Sequence, residues 1–131
     1  MLVYRVEYPK DGLGPYRGSL RHNGVEYTKD ELQDLSSLSS VLCTKHDSSN
    51  GHPAIGIDFC TVSFSKAFFC CFTDIRSLKD WFRGYRASLR RIGFRVGVYE
   101  ISNTFVQYGD SQRQAIFVRD EAKLIKTVSI P

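Results

Sequence analysis

Six basic residues in one short stretch carry the strongest chemical signal of this chain: Arg76, Lys79, Arg83, Arg86, Arg90 and Arg91. The first five step by three or four positions, so on a helix they form one stripe. Set against Asp74 and Asp80 they leave the stretch at +4, which is the net charge of the whole chain. Everything outside it is neutral in sum. A focused basic face attracts polyanions, either nucleic acid or an acidic protein surface, and raises association rates at low salt. Five of the six are arginines, whose planar fork suits bidentate contacts to carboxylate or phosphate. A merely solvated helix face is the competing reading. The small residues Gly84, Ala87 and Ser88 occupy the next sector of the helix and allow another backbone to come close.

Other chemistry is thinner. His46, His52 and Cys60 are zinc-type ligands, but their separations match no compact metal site, so no metal is expected. No G-x-S-x-G and no pair of carboxylates stands out, and no cofactor is called for. Cys70 and Cys71 lie in an apolar run, where thiolates are disfavoured. With Cys43 and Cys60 they fit no disulfide or C-x-x-C spacing, so all four read as reduced, small core residues. Near the start, VYRVEYPKDGLGPYRG offers Gly12 and Gly14, which would let backbone N–H groups approach a phosphate. Pro15 follows and no helix begins there, which excludes a P-loop or dinucleotide fingerprint. Asp11-Gly12 is instead a common hairpin turn pair, with Arg17 exposed beside it at a contact surface.

The elements that must hold these residues follow from periodicity. Residues 1–8 alternate, with Leu2, Tyr4, Val6 and Tyr8 on one side and Val3, Arg5 and Glu7 on the other, as in a half-buried strand. Thr28-Lys29-Asp30-Glu31 is a capping box, and Leu32, Leu35 and Leu38 follow at helical spacing. The run ending in KAFFCCF reads as a buried central strand, and FRVGVYEI, RQAIFV and KLIKTVSI as three more. Tyr108-Gly109-Asp110 supplies a turn between the first two of these three. Residues 73–93 form the clearest element. Thr73 is placed as the N-cap, Gly93 as the left-handed residue that ends the helix, and Ile75, Leu78, Phe82, Tyr85, Leu89 and Ile92 make one apolar stripe with Trp81 on its edge.

The expected fold is therefore α+β. A mixed or antiparallel sheet of about five strands packs against one long basic amphipathic helix, about 74–92, and one short helix, about 29–38. The 131 residues form a single domain with a flexible Ser-rich loop near 36–53. At this length one core buries enough surface for stability without disulfides or metal. Charges at Arg5, Glu7, Lys10 and Asp11 interrupt any signal peptide, and no apolar run approaches membrane-spanning length, so a cytoplasmic protein without membrane contact is expected.

Two resemblances attach to these residues. YRVE and GPYRG near the start, HP at 52–53, then SLKDWF, GFRVGVYE and QAIF resemble small accessory proteins encoded by phages and prophages. That resemblance implies an accessory role in the host cytoplasm, including inhibition of host defence in the anti-CRISPR manner, by binding and obstructing a nucleoprotein machine. The partner is then a host protein or nucleoprotein complex with an acidic surface. The outline of an N-terminal strand with Tyr-Arg, a strand leading into a helix and a late short strand is similar to ADP-ribosyltransferase-like folds. This implies NAD-phosphate contact at Arg5, beside the Gly12 and Gly14 loop, and places Gln114 where that superfamily has a glutamate. An amide carries no negative charge to stabilise an oxocarbenium-like transition state, so the resemblance implies nucleotide binding with impaired catalysis. Direct, non-specific nucleic-acid binding is the third reading. A charge of +4 and the lack of stacking aromatics beside the arginines stand against it.

Overall fold

In the computed structural model, which describes residues 1–17, 24–46, 52 and 68–131, β1 (Leu2–Glu7) takes the centre of the molecule. It pairs antiparallel with β3 (Arg95–Glu100), which pairs in turn with β6 (Lys123–Ser129). A second antiparallel sheet has the order β2 (Phe68–Cys71), β5 (Ala115–Val118), β4 (Val106–Tyr108). One bridge joins them: the N–H groups of Tyr4 and Phe72 each donate to the other's carbonyl at 2.8 Å. Among the described residues, then, the five-stranded sheet expected from the sequence is replaced by two three-stranded sheets. The apolar run ending in KAFFCCF supplies an edge strand of the second sheet instead of a central one. Its residues 54–67 lie outside the described residues.

Both faces of β1 are buried, which the alternation alone did not imply. Val6 and Tyr8 look toward the helices, in a core with Leu35, Leu38, Leu42, Leu78, Trp81, Phe82, Leu89 and Val96. Val3 looks the other way, into a core that draws on both sheets: Cys71, Tyr99, Ala115 and Phe117. Arg5 and Glu7 point to that side as well and are buried.

Helix α1 (Lys29–Lys45) begins at the capping box. Glu31 N–H donates to Thr28 Oγ1 (3.1 Å), and the Thr28 N–H donates to Glu31 Oε1 (2.9 Å). It runs well past residue 38, because Leu35, Leu38 and Leu42 continue one buried stripe that holds the intervening serines in register. The first half of the expected Ser-rich loop is thus helix; residues 47–51 lie outside the described residues. Cys43 on this helix is exposed, not a core residue, whereas Cys71 is buried.

The expected long helix is two short ones, α2 (Ile75–Trp81) and α3 (Arg86–Ile92). Gly84 separates them with φ +88°, a left-handed conformation that an α-helix cannot contain and that glycine adopts without a Cβ penalty. Asp74, not Thr73, caps α2, accepting from the Ser77 N–H at 2.7 Å. Gly93 ends α3 in the left-handed conformation, φ +114°. The turn at 109–112 joins β4 to β5, and β4 itself is a strand that the sequence reading did not contain.

Candidate functional site

The break at Gly84 decides what becomes of the basic stripe. Arg76 and Lys79 on α2, Arg83 in the connection, and Arg90 and Arg91 on α3 are exposed, and Arg86 is partly buried. Two of these positions acquire a defined setting. Arg86 Nη1 donates to the Pro131 carbonyl (3.1 Å) and Arg90 Nη1 to that of Ile130 (3.4 Å). Between them opens a cleft of about 310 Å³ lined by Gly84, Arg86, Ala87, Arg90 and Pro131. Two of the three small residues, Gly84 and Ala87, thus form the wall of a cavity in which two guanidiniums stand, each holding the chain with one N–H and retaining others for a ligand. Planar guanidinium forks of this kind suit bidentate donation to carboxylate or phosphate.

The middle of the face is partly neutralised. Asp80 lies between Arg83 Nη2 (2.7 Å) and Arg113 Nη2 (3.2 Å), and the Arg113 guanidinium sits over the Trp81 ring, 5.1 Å from its centroid. The Arg83–Asp80 pair is open to solvent, so it contributes little to stability.

Arg17 is not exposed. Its side chain forks onto Asp11, whose other partners are Tyr27 Oη (2.6 Å) and the Leu13 N–H (2.9 Å). Arg17 also donates to the carbonyls of Gly14 (3.1 Å) and Leu13 (3.0 Å). Its hydrogen bonds keep Asp11 below the usual carboxylate range even though burial pushes the other way. The segment after the turn is therefore pinned by a side chain and not by a second strand. Tyr8 N–H meets the Leu13 carbonyl (2.8 Å), but β1 pairs with β3, and among the described residues no second strand of a hairpin follows the turn.

The residues considered for nucleotide contact take the following settings. Arg5 is buried beneath the Phe69 ring, with its guanidinium 4.7 Å from the centroid, and donates to the Cys70 carbonyl (2.9 Å). Its Nε lies 3.5 Å from Glu7 Oε2 without making a hydrogen bond. Burial works against the Arg5 charge, opposed by its electrostatic contacts, Glu7 among them. Glu7 in turn accepts from Tyr99 Oη at 2.6 Å. Desolvation, with that bond second, raises the Tyr99 hydroxyl to about 12. Gly14 approaches the Arg5 guanidinium closely: a Cβ there would lie 3.4 Å from Nη2. Gly12, at φ +70°, takes the turn tip with open space around it. Gln114 is buried just before β5. Folding brings Arg5 and Gly14 together, with Gly12 at the turn tip and Gln114 buried just before β5.

One cluster escaped sequence reasoning. His46 and His52 stack at 3.9 Å, against Trp81, with Tyr16 alongside. Trp81 Nε1 donates to Tyr16 Oη (2.7 Å), which leaves the tyrosine proton for His46 Nδ1. His52 Nε2 donates to the Trp81 carbonyl (3.0 Å). A donated proton requires His46 Nδ1 to be unprotonated. In keeping with this, burial, then the neighbouring His52 and Arg113, pushes His46 down to about 4. The only sequence signal was the pair of histidines flanking one loop. Cys60, the third ligand weighed with them, lies outside the described residues, among which no group of three metal-ligating side chains occurs.

No described helix is long and apolar enough to cross a membrane. Comparison with known proteins gives a family model described as Bacteriophage T4 Y00F protein, which matches residues 1–131. No curated protein and no solved structure matches.

Proposed function

The chain belongs to the Bacteriophage T4 Y00F protein family, and from that premise we propose that it acts by binding, through the basic face of α2 and α3, to an acidic surface of a host protein or nucleoprotein complex. The observation that carries this reading is the fate of the arginines. Arg5 and Arg17 are consumed inside the fold, whereas Arg76, Arg83, Arg90 and Arg91 stay exposed on α2, α3 and the connection between them, and Arg86 and Arg90 border a cleft. A binding protein needs a presented, preorganised surface and no catalytic constellation. Membership of a phage protein family supports reading that role as obstruction of a host defence machine.

The test is affinity purification of the tagged protein from host lysate, with and without nuclease, beside the double reversal Arg83→Glu/Arg86→Glu. A stoichiometric, nuclease-resistant partner lost in the reversal is expected, with the melting temperature of the variant little changed. A partner retained at full occupancy by the reversed face refutes the reading. Loss of the partner on nuclease treatment assigns the face to nucleic acid instead.

A further inference from the structure

Strand β6 is an edge: β3 pairs with one side of it, and no described residue pairs with the other. Six of its seven residues, all but Val128, are exposed, with Leu124 and Ile125 at 46% and 45% of their full accessibility. A shift of register between Val98 and Tyr99 leaves Ile125 as an extra residue, so the strand has two unequal parts. In the longer one, Lys126, Thr127, Val128 and Ser129 face Val98, Gly97, Val96 and Arg95 without interruption.

This uninterrupted part leads into the cleft. Two residues beyond Ser129 the chain reaches Pro131, which lines the cavity, while Arg86 and Arg90 hold the carbonyls of Pro131 and Ile130. Charge is distributed unevenly along the edge. At its start Lys123 faces Glu100 and follows Asp120 and Glu121. At its end stand Lys126, the exposed Arg95 opposite Ser129, Arg86 and Arg90, with no acidic residue among residues 122–131.

We propose that an extended acidic segment of the partner adds as a strand to the outer edge of β6 along residues 126–129 and seats a carboxylate in the cleft between Arg86 and Arg90. Outward N–H and C=O groups of an edge strand supply sequence-independent affinity, and the pocket at its end supplies selection. The charge disfavours the other natural occupant of a free edge. Two copies of this chain joined through β6 would gather the lysines of both into one row, and like charges across paired strands repel.

The inference rests on the basic-face reading, and its test separates the two. Three blocked peptides are titrated into the isotope-labelled protein: one alternating Val and Glu, the same peptide N-methylated at alternate residues, and one alternating Val and Lys. The Val/Glu peptide is expected to bind and to slow hydrogen exchange at amides within 126–129. N-methylation, which removes backbone donors and keeps the charge, is expected to weaken binding at least about tenfold, and Arg86→Gln/Arg90→Gln by roughly tenfold. The Val/Lys peptide is expected not to bind. Equal affinity for the methylated and unmethylated peptides refutes strand addition while leaving charge-driven binding by the face intact. Failure of the Val/Glu peptide to bind at millimolar concentration refutes it too, with the lysate reversal still deciding the parent reading. Sedimentation of the protein alone as a dimer with protected 126–129 amides also overturns it, since the edge is then occupied by a second copy.

Discussion

Replacing Gly97 by alanine probes the tightest surroundings of any described glycine. Gly97 stands on β3 between Arg5 on one side and Thr127 on the other, and Glu7 lies over it. A Cβ built there would meet Glu7 Oε1 at 2.5 Å, Tyr99 Cε2 at 2.8 Å and Glu7 Cδ at 3.1 Å. None of these can withdraw cheaply. The Tyr99 ring is 1% exposed and packs on Phe117, 5.5 Å between centroids, and the Glu7 carboxylate is held by Tyr99 Oη and faces Arg5. Overpacking a core costs about 1–3 kcal/mol. Displacing Glu7 also breaks a hydrogen bond to a charged group, about 1.5–3 kcal/mol, and deprives the buried Arg5 of its counter-charge. The two effects overlap, because moving the carboxylate relieves part of the clash, so Gly97→Ala should cost about 2–4 kcal/mol. Urea unfolding followed by circular dichroism measures it. The same substitution in a Glu7→Ala background should cost markedly less, since only the Tyr99 ring then stands in the way. A cost under about 0.5 kcal/mol, or an equal cost in both backgrounds, would show that Glu7 does not occupy the space above residue 97.

Gly84→Ala should destabilise by about 1 kcal/mol, the cost of forcing a Cβ into the left-handed region, although the site itself is open; a raised melting temperature would mean that α2 and α3 are one helix in solution. Arg17→Ala leaves Asp11 buried without its counter-charge and should cost about 3 kcal/mol in urea unfolding, whereas an effect under 1 kcal/mol would show the loop to be open to water. His46 is held at about 4 in the fold against 6.5 unfolded, so the unfolded chain binds the extra proton and stability falls as pH drops from about 6.5 to about 4. Allowing for partial solvation the loss is about 1–2 kcal/mol, and it should vanish in His46→Gln; an unchanged pH profile in that variant refutes the assignment.

Capping and periodicity were legible without tertiary context because they are local. The Thr28–Glu31 box, the left-handed Gly93, and the strands around FRVGVYEI, RQAIFV and KLIKTVSI are all set by residues within a few positions of one another. Gly84 was legible only as a cost. Whether a glycine at mid-helix is tolerated or breaks the helix is not written in the periodicity: Phe82 and Leu89, seven residues apart, would share one face of an unbroken helix, and both are buried in the core with the helix broken at Gly84 between them. The serines at 36–40 looked like a loop for the converse reason: buried Leu35, Leu38 and Leu42 override their weak helix propensity.

For the candidate site, the sequence by itself determined the charge, its concentration in residues 76–91 and its arginine bias, because these are properties of composition and order. Which arginines remain available was set by long-range packing. Arg5 and Arg17 lie in a strand and a turn whose polar side looked solvent-facing. The second sheet covers one, and Asp11 captures the other, through contacts that no local pattern encodes. Likewise Arg86 and Arg90 became the walls of a cleft only when residues 130 and 131, forty and more positions away, came to rest beside them. Charge is inherited from the sequence, but its accessibility is a property of burial, and burial is settled by distant segments meeting in space.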